Sequence, residues 1–170
     1  MPFCPKARHH LHPKPMQGVV LLVVVLAVMT AAGAQACTGV SAREAARMTD
    51  LINADRAARH LPLVRYDPQL ARVAQGHACD MARNGFFGHT GSGNVPFAQR
   101  VRAAGRRGCV LSENLAMGVR SPQHAHRVWM GSPGHRQNIL RPDNTHVGLG
   151  IATPRNGRGM RWVTVFASGC

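Results

Sequence analysis

At 170 residues the chain is long enough for one domain with a sizeable core once any targeting segment is set aside. Its 21 basic residues against seven acidic ones give a net charge of +14 and favour anionic partners such as envelope polymers, lipid headgroups or nucleic acid. Neither a Lys/Arg block nor an interleaved aromatic stripe is present, which argues against a specific nucleic-acid interface.

Residues 1–36 have the layout of a cleavable signal segment. Lys6, Arg8 and Lys14 precede the apolar run Val19 to Val28, and Ala34-Gln35-Ala36 is a small-residue cleavage pattern before Cys37. A retained membrane anchor is the rival, because 18–36 approaches the length of a spanning helix. Cleavage predicts a secreted or periplasmic domain over 37–170, with no transmembrane segment left. Removing the three basic residues of 1–36 leaves 18, all arginine, against seven acids, a net of +11. Lipidation of Cys37 fits less well, since no leucine occupies the preceding positions and one cysteine would be stranded. Cys37, Cys79, Cys109 and Cys170 form an even set in an oxidising compartment, so two disulfides are expected. Three pairings are open; Cys79–Cys109 with Cys37–Cys170 is favoured, the second stapling the domain's ends.

Ser41-x-x-Glu44 is a capping box, and the helix it opens carries Met48, Leu51 and Ile52 toward Arg59. After an extended Leu63-Val64-Arg65, Asp67-Pro68 starts a second helix with Leu70, Val73, Ala74, His77, Ala78 and Met81 on one face and Gly85 at its end. A short helix fits Pro96 to Ala104, and a strand is expected around Val110 to Met117. Ser121-Pro122 opens a further helix through Trp129, which stops and restarts across Ser132-Pro133-Gly134. Val147 to Ala152 and Arg161 to Phe166 are β-rich runs around an Asn156-Gly157 turn signal, an antiparallel hairpin. Helices first and strands last predict an α+β layered domain.

Only two glutamates follow the signal segment. Glu44 is a cap. Glu113 lies among Leu111, Leu115 and Met117, where a half-buried carboxylate needs a partner. Arginine, with help from Asn114, is the structural candidate, and histidine the functional one. His89 and His135 both fall where the chain bends, in "GFFGHTGSGN" and "WMGSPGHRQNIL", and loops on a rigid scaffold are where binding groups gather. Their spacings to Glu113 are not those of a chelating motif. His77 reads as a satisfied core residue, His124 and His126 point to different sides of a helix, and His60 and His146 read as surface or turn residues. No G-x-S-x-G elbow, phosphate loop or H-E-x-x-H pattern is present, and paired cysteines are not nucleophiles.

In order, "INADRAARHLPLVRYDPQLARVAQGHACDMARNGFFGHT", "PFAQRVRAAG", "SENLAMG", "VWMGSPGHRQNIL" and "THVGLGI" resemble the bacterial branch of the CAP superfamily, the SCP-like extracellular proteins. The resemblance spans about residues 47 to 167. It implies an α-β-α sandwich with a central antiparallel sheet and a cleft lined by two histidines and two acids. His89 and His135 match the histidines, and Glu113 the first acid; Ser112 replaces the glycine before it. Where the family places its second acid this chain has Ser132.

That departure shapes the functional expectation. His89 and His135 remain able to hold zinc with open positions for water, but no cofactor is required. A two-acid hydrolytic mechanism is not available, and Glu113 alone would serve as base. The favoured expectation is therefore an exported, monomeric binding module whose cleft takes a lipid or anionic cell-envelope ligand. A metal-assisted hydrolase of peptide or cell-wall bonds is the alternative.

Overall fold

A computed structural model describes residues 37, 39–106 and 110–169, all within one compact unit. The signal-segment reading of residues 1–36, and both Cys109 and Cys170, lie outside the described residues.

Local chemistry sets the helix ends. Ser41 and Glu44 form the reciprocal capping box that opens α1, Ala42–Ala57. A two-residue strand, β1 (Arg65–Tyr66), leads into α2, Pro68–Asn84. The α2 N-cap is Asp67, whose Oδ1 accepts from the Gln69 and Leu70 amides at 2.7 and 3.1 Å, and Gly85 closes the helix with φ +72°. A 3-10 turn (Ser92–Asn94) and α3 (Phe97–Ala103) follow. Next come β2 (Leu111–Met117), α4 (Pro122–Gly131), α5 (Pro133–Leu140) and the hairpin of β3 (His146–Ala152) and β4 (Arg161–Ala167). The restart after Ser132 is thus a full helix of eight residues.

The sheet order is β1-β3-β4-β2, antiparallel except for the short parallel β1–β3 pair. Each face carries its own core. On one side α1, α4 and α5 bury Met48, Ile52, Trp129 and Ile139 against Val147, Trp162 and Phe166. On the other, α2 and α3 bury Leu70, Ala74, Met81 and Val101 against Leu115, Val163 and Val165. This is the expected α-β-α sandwich.

β2 is an edge strand, and the fold covers its free edge. Trp129 Nε1 donates to the Leu115 carbonyl at 3.0 Å, and Asn138 Nδ2 to the Glu113 carbonyl at 3.3 Å. Unpaired edge carbonyls would otherwise invite another strand. The second of these contacts brings α5 alongside Glu113.

The disulfide expectation needs correction. Cys79 bonds to Cys37, not Cys109, and Cys37 therefore does not reach Cys170. Residue 37 packs against the α2-side core, which brings the two Cα atoms to 5.8 Å, within bridging range, despite 42 residues of separation. Sequence distance carries no information about that approach.

Candidate functional site

Glu113 sits on the α2-side face of β2 with a side chain only 1% exposed. Its two carboxylate oxygens are both engaged. Oε1 lies 2.8 Å from His89 Nδ1, and Oε2 accepts from Arg100 Nη2 at 2.8 Å. Both partner types expected for a buried glutamate are therefore present at once. Asn114, expected to help, points to the opposite face and donates to the His135 carbonyl at 3.0 Å.

The loop carrying His89 is held from several sides. His77, fully buried on α2, places Nε2 2.8 Å from the Gly88 carbonyl. Arg100 Nη1 donates to the carbonyls of His89 at 2.7 Å and Val95 at 3.2 Å. Asp80 accepts from the Ser92 amide at 2.8 Å. Burial pushes the Asp80 carboxyl up, but hydrogen bonds from Ser92 and Asn84 outweigh it and hold the group below its ordinary value.

These bonds decide what each atom offers. An ionised carboxylate only accepts, so His89 Nδ1 must carry the proton it shares with Glu113. In that tautomer Nε2 carries the ring's lone pair, on a side chain 57% exposed. Glu113 keeps no unengaged oxygen, which is poor equipment for a general base.

His135 enters from α5. Its Nδ1 is buried without a hydrogen-bond partner. Burial first, and then the neighbouring His89, push its imidazole below the ordinary value near 6.5. No carboxylate pairs with the His135 ring among the described residues. A run of asparagine bonds fixes α5 beneath it: Asn138 Nδ2 to Asn114 Oδ1 at 2.9 Å, and Asn144 Nδ2 to the Asn138 carbonyl at 2.7 Å. Ser132 ends α4 and precedes α5, and its side chain caps neither helix end. No side-chain hydrogen bond ties it to His89, Glu113 or His135 among the described residues.

Two imidazoles fit a divalent cation only if water fills the other positions. No group of three His, Cys, Asp or Glu side chains converges as a metal-binding set among the described residues. That donor set matches neither a closed structural zinc site nor a three-ligand catalytic one.

Sequence reasoning missed Arg100, which ties Glu113 to the His89 backbone, and nothing distinguishes it from 17 other arginines in the domain. It also missed His126, whose Nε2 lies 2.8 Å from Asp55 Oδ2 across α4 and α1, an ion-pair distance without hydrogen-bond alignment.

Residues 49–167 match the cysteine-rich secretory protein family, CAP. The YkwD protein of Bacillus subtilis is 33% identical over 105 residues, covering 61% of this chain and 40% of its own length. An extracellular SCP-domain protein from Bacillus anthracis superposes with a TM-score of 0.65 at 28% identity, covering 74% of this chain and 40% of that one. An outer surface protein of Borrelia burgdorferi gives a TM-score of 0.70 at 18% identity, over 79% of this chain and 99% of that one, a likeness of fold alone. The chain thus spans well under two thirds of the YkwD and Bacillus anthracis proteins.

Proposed function

The chain belongs to the cysteine-rich secretory protein (CAP) family, and from that premise we propose that it is an exported binding module whose cleft at His89, Glu113, Ser132 and His135 takes a lipid or anionic cell-envelope ligand. One observation carries the reading: both carboxylate oxygens of Glu113 are engaged, by His89 and by Arg100. Its charge is offset within the protein, and the polar groups left for a ligand are the exposed edge of His89 and the unpartnered ring of His135. Such a site offers hydrogen bonds and no net negative charge. The arginine-rich surface draws in anionic molecules at long range. Export rests on the layout of residues 1–36, and no helix among the described residues is long and apolar enough to cross a membrane.

Calorimetric titration with a short-chain phosphatidylglycerol, below its micelle concentration, tests the cleft. Saturable binding lost in both His89→Ala and His135→Ala is expected; equal binding by the wild type and both variants overturns the reading.

The hydrolase alternative draws on the His89–Glu113 bond, which leaves Nε2 poised as a base or metal ligand. A bound zinc ion would be held by His89 and His135 and would supply an activated water. Glu113 would orient His89 rather than act on substrate. A zinc titration separates the cases: one site lost in both histidine variants keeps hydrolysis open. Absence of binding to the folded protein makes the cluster a hydrogen-bonded support.

A further inference from the structure

The end of the sheet where β2 finishes and β3 turns into β4 combines exposed apolar groups with unpaired charge. Met117, the last residue of β2, pairs in register with Arg161, the first of β4, and is 50% exposed. Arg161 reaches to the loop after α2. Its Nε donates to the Phe86 carbonyl at 3.4 Å, and its guanidinium lies 6.0 Å from the centre of the Phe87 ring. Phe87 is itself 45% exposed. Two of the five large hydrophobic side chains exposed among the described residues are therefore joined through one arginine.

The β3–β4 turn lies against the same place. It is tightly made: the Pro154 carbonyl accepts from the Gly157 amide at 2.8 Å, and Asn156 Oδ1 from the Arg158 amide at 3.0 Å. A Cβ at Gly159 would stand 3.4 Å from Met117 Cγ, so the turn packs directly on that side chain. Arg155 and Arg158 project from it, exposed, and neither forms an ion pair among the described residues. By contrast, Arg59, Arg100 and Arg106 each hold a carboxylate.

We propose that this end of the sheet, with Phe87 and Met117 beside Arg155 and Arg158, is a docking surface for an anionic lipid bilayer. A soluble polyanion would satisfy the guanidiniums but offers nothing to bury the phenyl ring or the thioether. The headgroup boundary of a bilayer supplies negative charge and an apolar phase within a few ångströms of each other. The surface uses no cleft residue and stands apart from the function proposed above. Phe87 nevertheless shares a loop with His89, so docking would bring the bilayer beside the loop that supplies one cleft imidazole.

Sedimentation of the folded, oxidised protein with vesicles tests the surface. Binding is expected to phosphatidylcholine vesicles containing phosphatidylglycerol, and not to phosphatidylcholine alone. Phe87→Ser with Met117→Ser, which leaves the charge unchanged, should weaken binding about tenfold. Arg155→Gln with Arg158→Gln should weaken it by a similar factor of about ten and flatten its salt dependence. Binding to soluble polyphosphate should follow the arginine pair only. Should the serine variant fail to fold, Phe87→Trp gives a second readout. The fluorescence of the introduced indole should shift to the blue on phosphatidylglycerol vesicles, whereas the buried Trp129 and Trp162 should not respond. Vesicle binding indifferent to the apolar pair, a Phe87→Trp spectrum that does not move, or no binding to anionic vesicles would each overturn the proposal. The cleft reading stands or falls separately, on the short-chain lipid titration with the histidine variants.

Discussion

Arg56 shows how much one side chain does in this fold. It is fully buried on α1 and forms no ion pair among the described residues. Its guanidinium instead donates to five backbone carbonyls: Pro62 at 2.7 Å, Ile139 and Arg141 at 2.8 Å, Asn144 at 3.2 Å and Pro142 at 3.4 Å. Burial lowers its pKa, as expected of a cation paired only with dipoles. Those carbonyls belong largely to the end of α5 and the turn into β3, so Arg56 ties α1 to the helix that carries His135. Lysine has three donors on a point charge and cannot reproduce the fork. Arg56→Lys is expected to destabilise the fold by about 2–4 kcal/mol, read from urea unfolding. A change below about 0.5 kcal/mol would show that water replaces the lost bonds.

Histidine titration belongs to the same scale. His77, His126 and His135 all have lowered pKa values, in each case with burial as the largest cause. Below their ordinary value near 6.5 the unfolded chain binds protons that the folded chain refuses. Stability is therefore complete above that pH and falls as pH drops through it. The Tm is expected to decline from about pH 7.5 to about pH 5, with part of the slope removed by His77→Gln. A Tm that rises over this interval would contradict the sign.

Among the elements, the contact between α2 and β3 is the least forgiving. Gly148 and Gly150 face α2, and a Cβ on either would overlap the helix backbone, at Leu70 and Ala71 in one case and at Ala74 and Gln75 in the other. Backbone cannot swing aside as a side-chain tip can, so α2 would have to lift off the sheet. Gly148→Ala or Gly150→Ala is expected to cost more than about 3 kcal/mol, seen as a large drop in Tm or loss of the cooperative thermal transition. By comparison Gly134→Ala, with nothing within 4 Å, should change the Tm little. The "VGLGI" pattern was legible as a strand, but the reason for its glycines was not. They mark a close approach by a helix some 75 residues earlier in the chain. α5 was legible in its start, at Ser132-Pro133-Gly134. Its length was not, because the residues that hold it, Arg56 and Asn114, lie far away in sequence.

For the molecule as a whole, the Cys37–Cys79 bond fastens the segment before α1 to the middle of α2. It encloses α1 and β1 in a loop with a sequence separation of 42, for which chain-entropy reasoning gives about 4 kcal/mol. Peptide mapping without reduction is expected to recover Cys37 joined to Cys79, and Cys79→Ser to lower stability by an amount of that order, about 2–4 kcal/mol. Recovery of Cys79 joined to Cys109 would restore the pairing favoured on sequence grounds.

Much of this protein was determined by sequence alone. Helix starts and stops were readable because a cap is satisfied within a few residues, as Ser41 and Glu44 satisfy each other. The α+β class followed from the order of helices and strands and the family from ordered motifs, which matched the His89, Glu113 and His135 that bends and burial had singled out. Tertiary structure alone decided who meets whom. Glu113 finds Arg100 and His89 across 13 and 24 residues, and Cys79 finds Cys37 across 42. Any of 18 arginines had the right chemistry for Glu113, and only packing put one within reach. Pairing of that kind depends on distances in space, which two layers closing on a sheet create and no local pattern records.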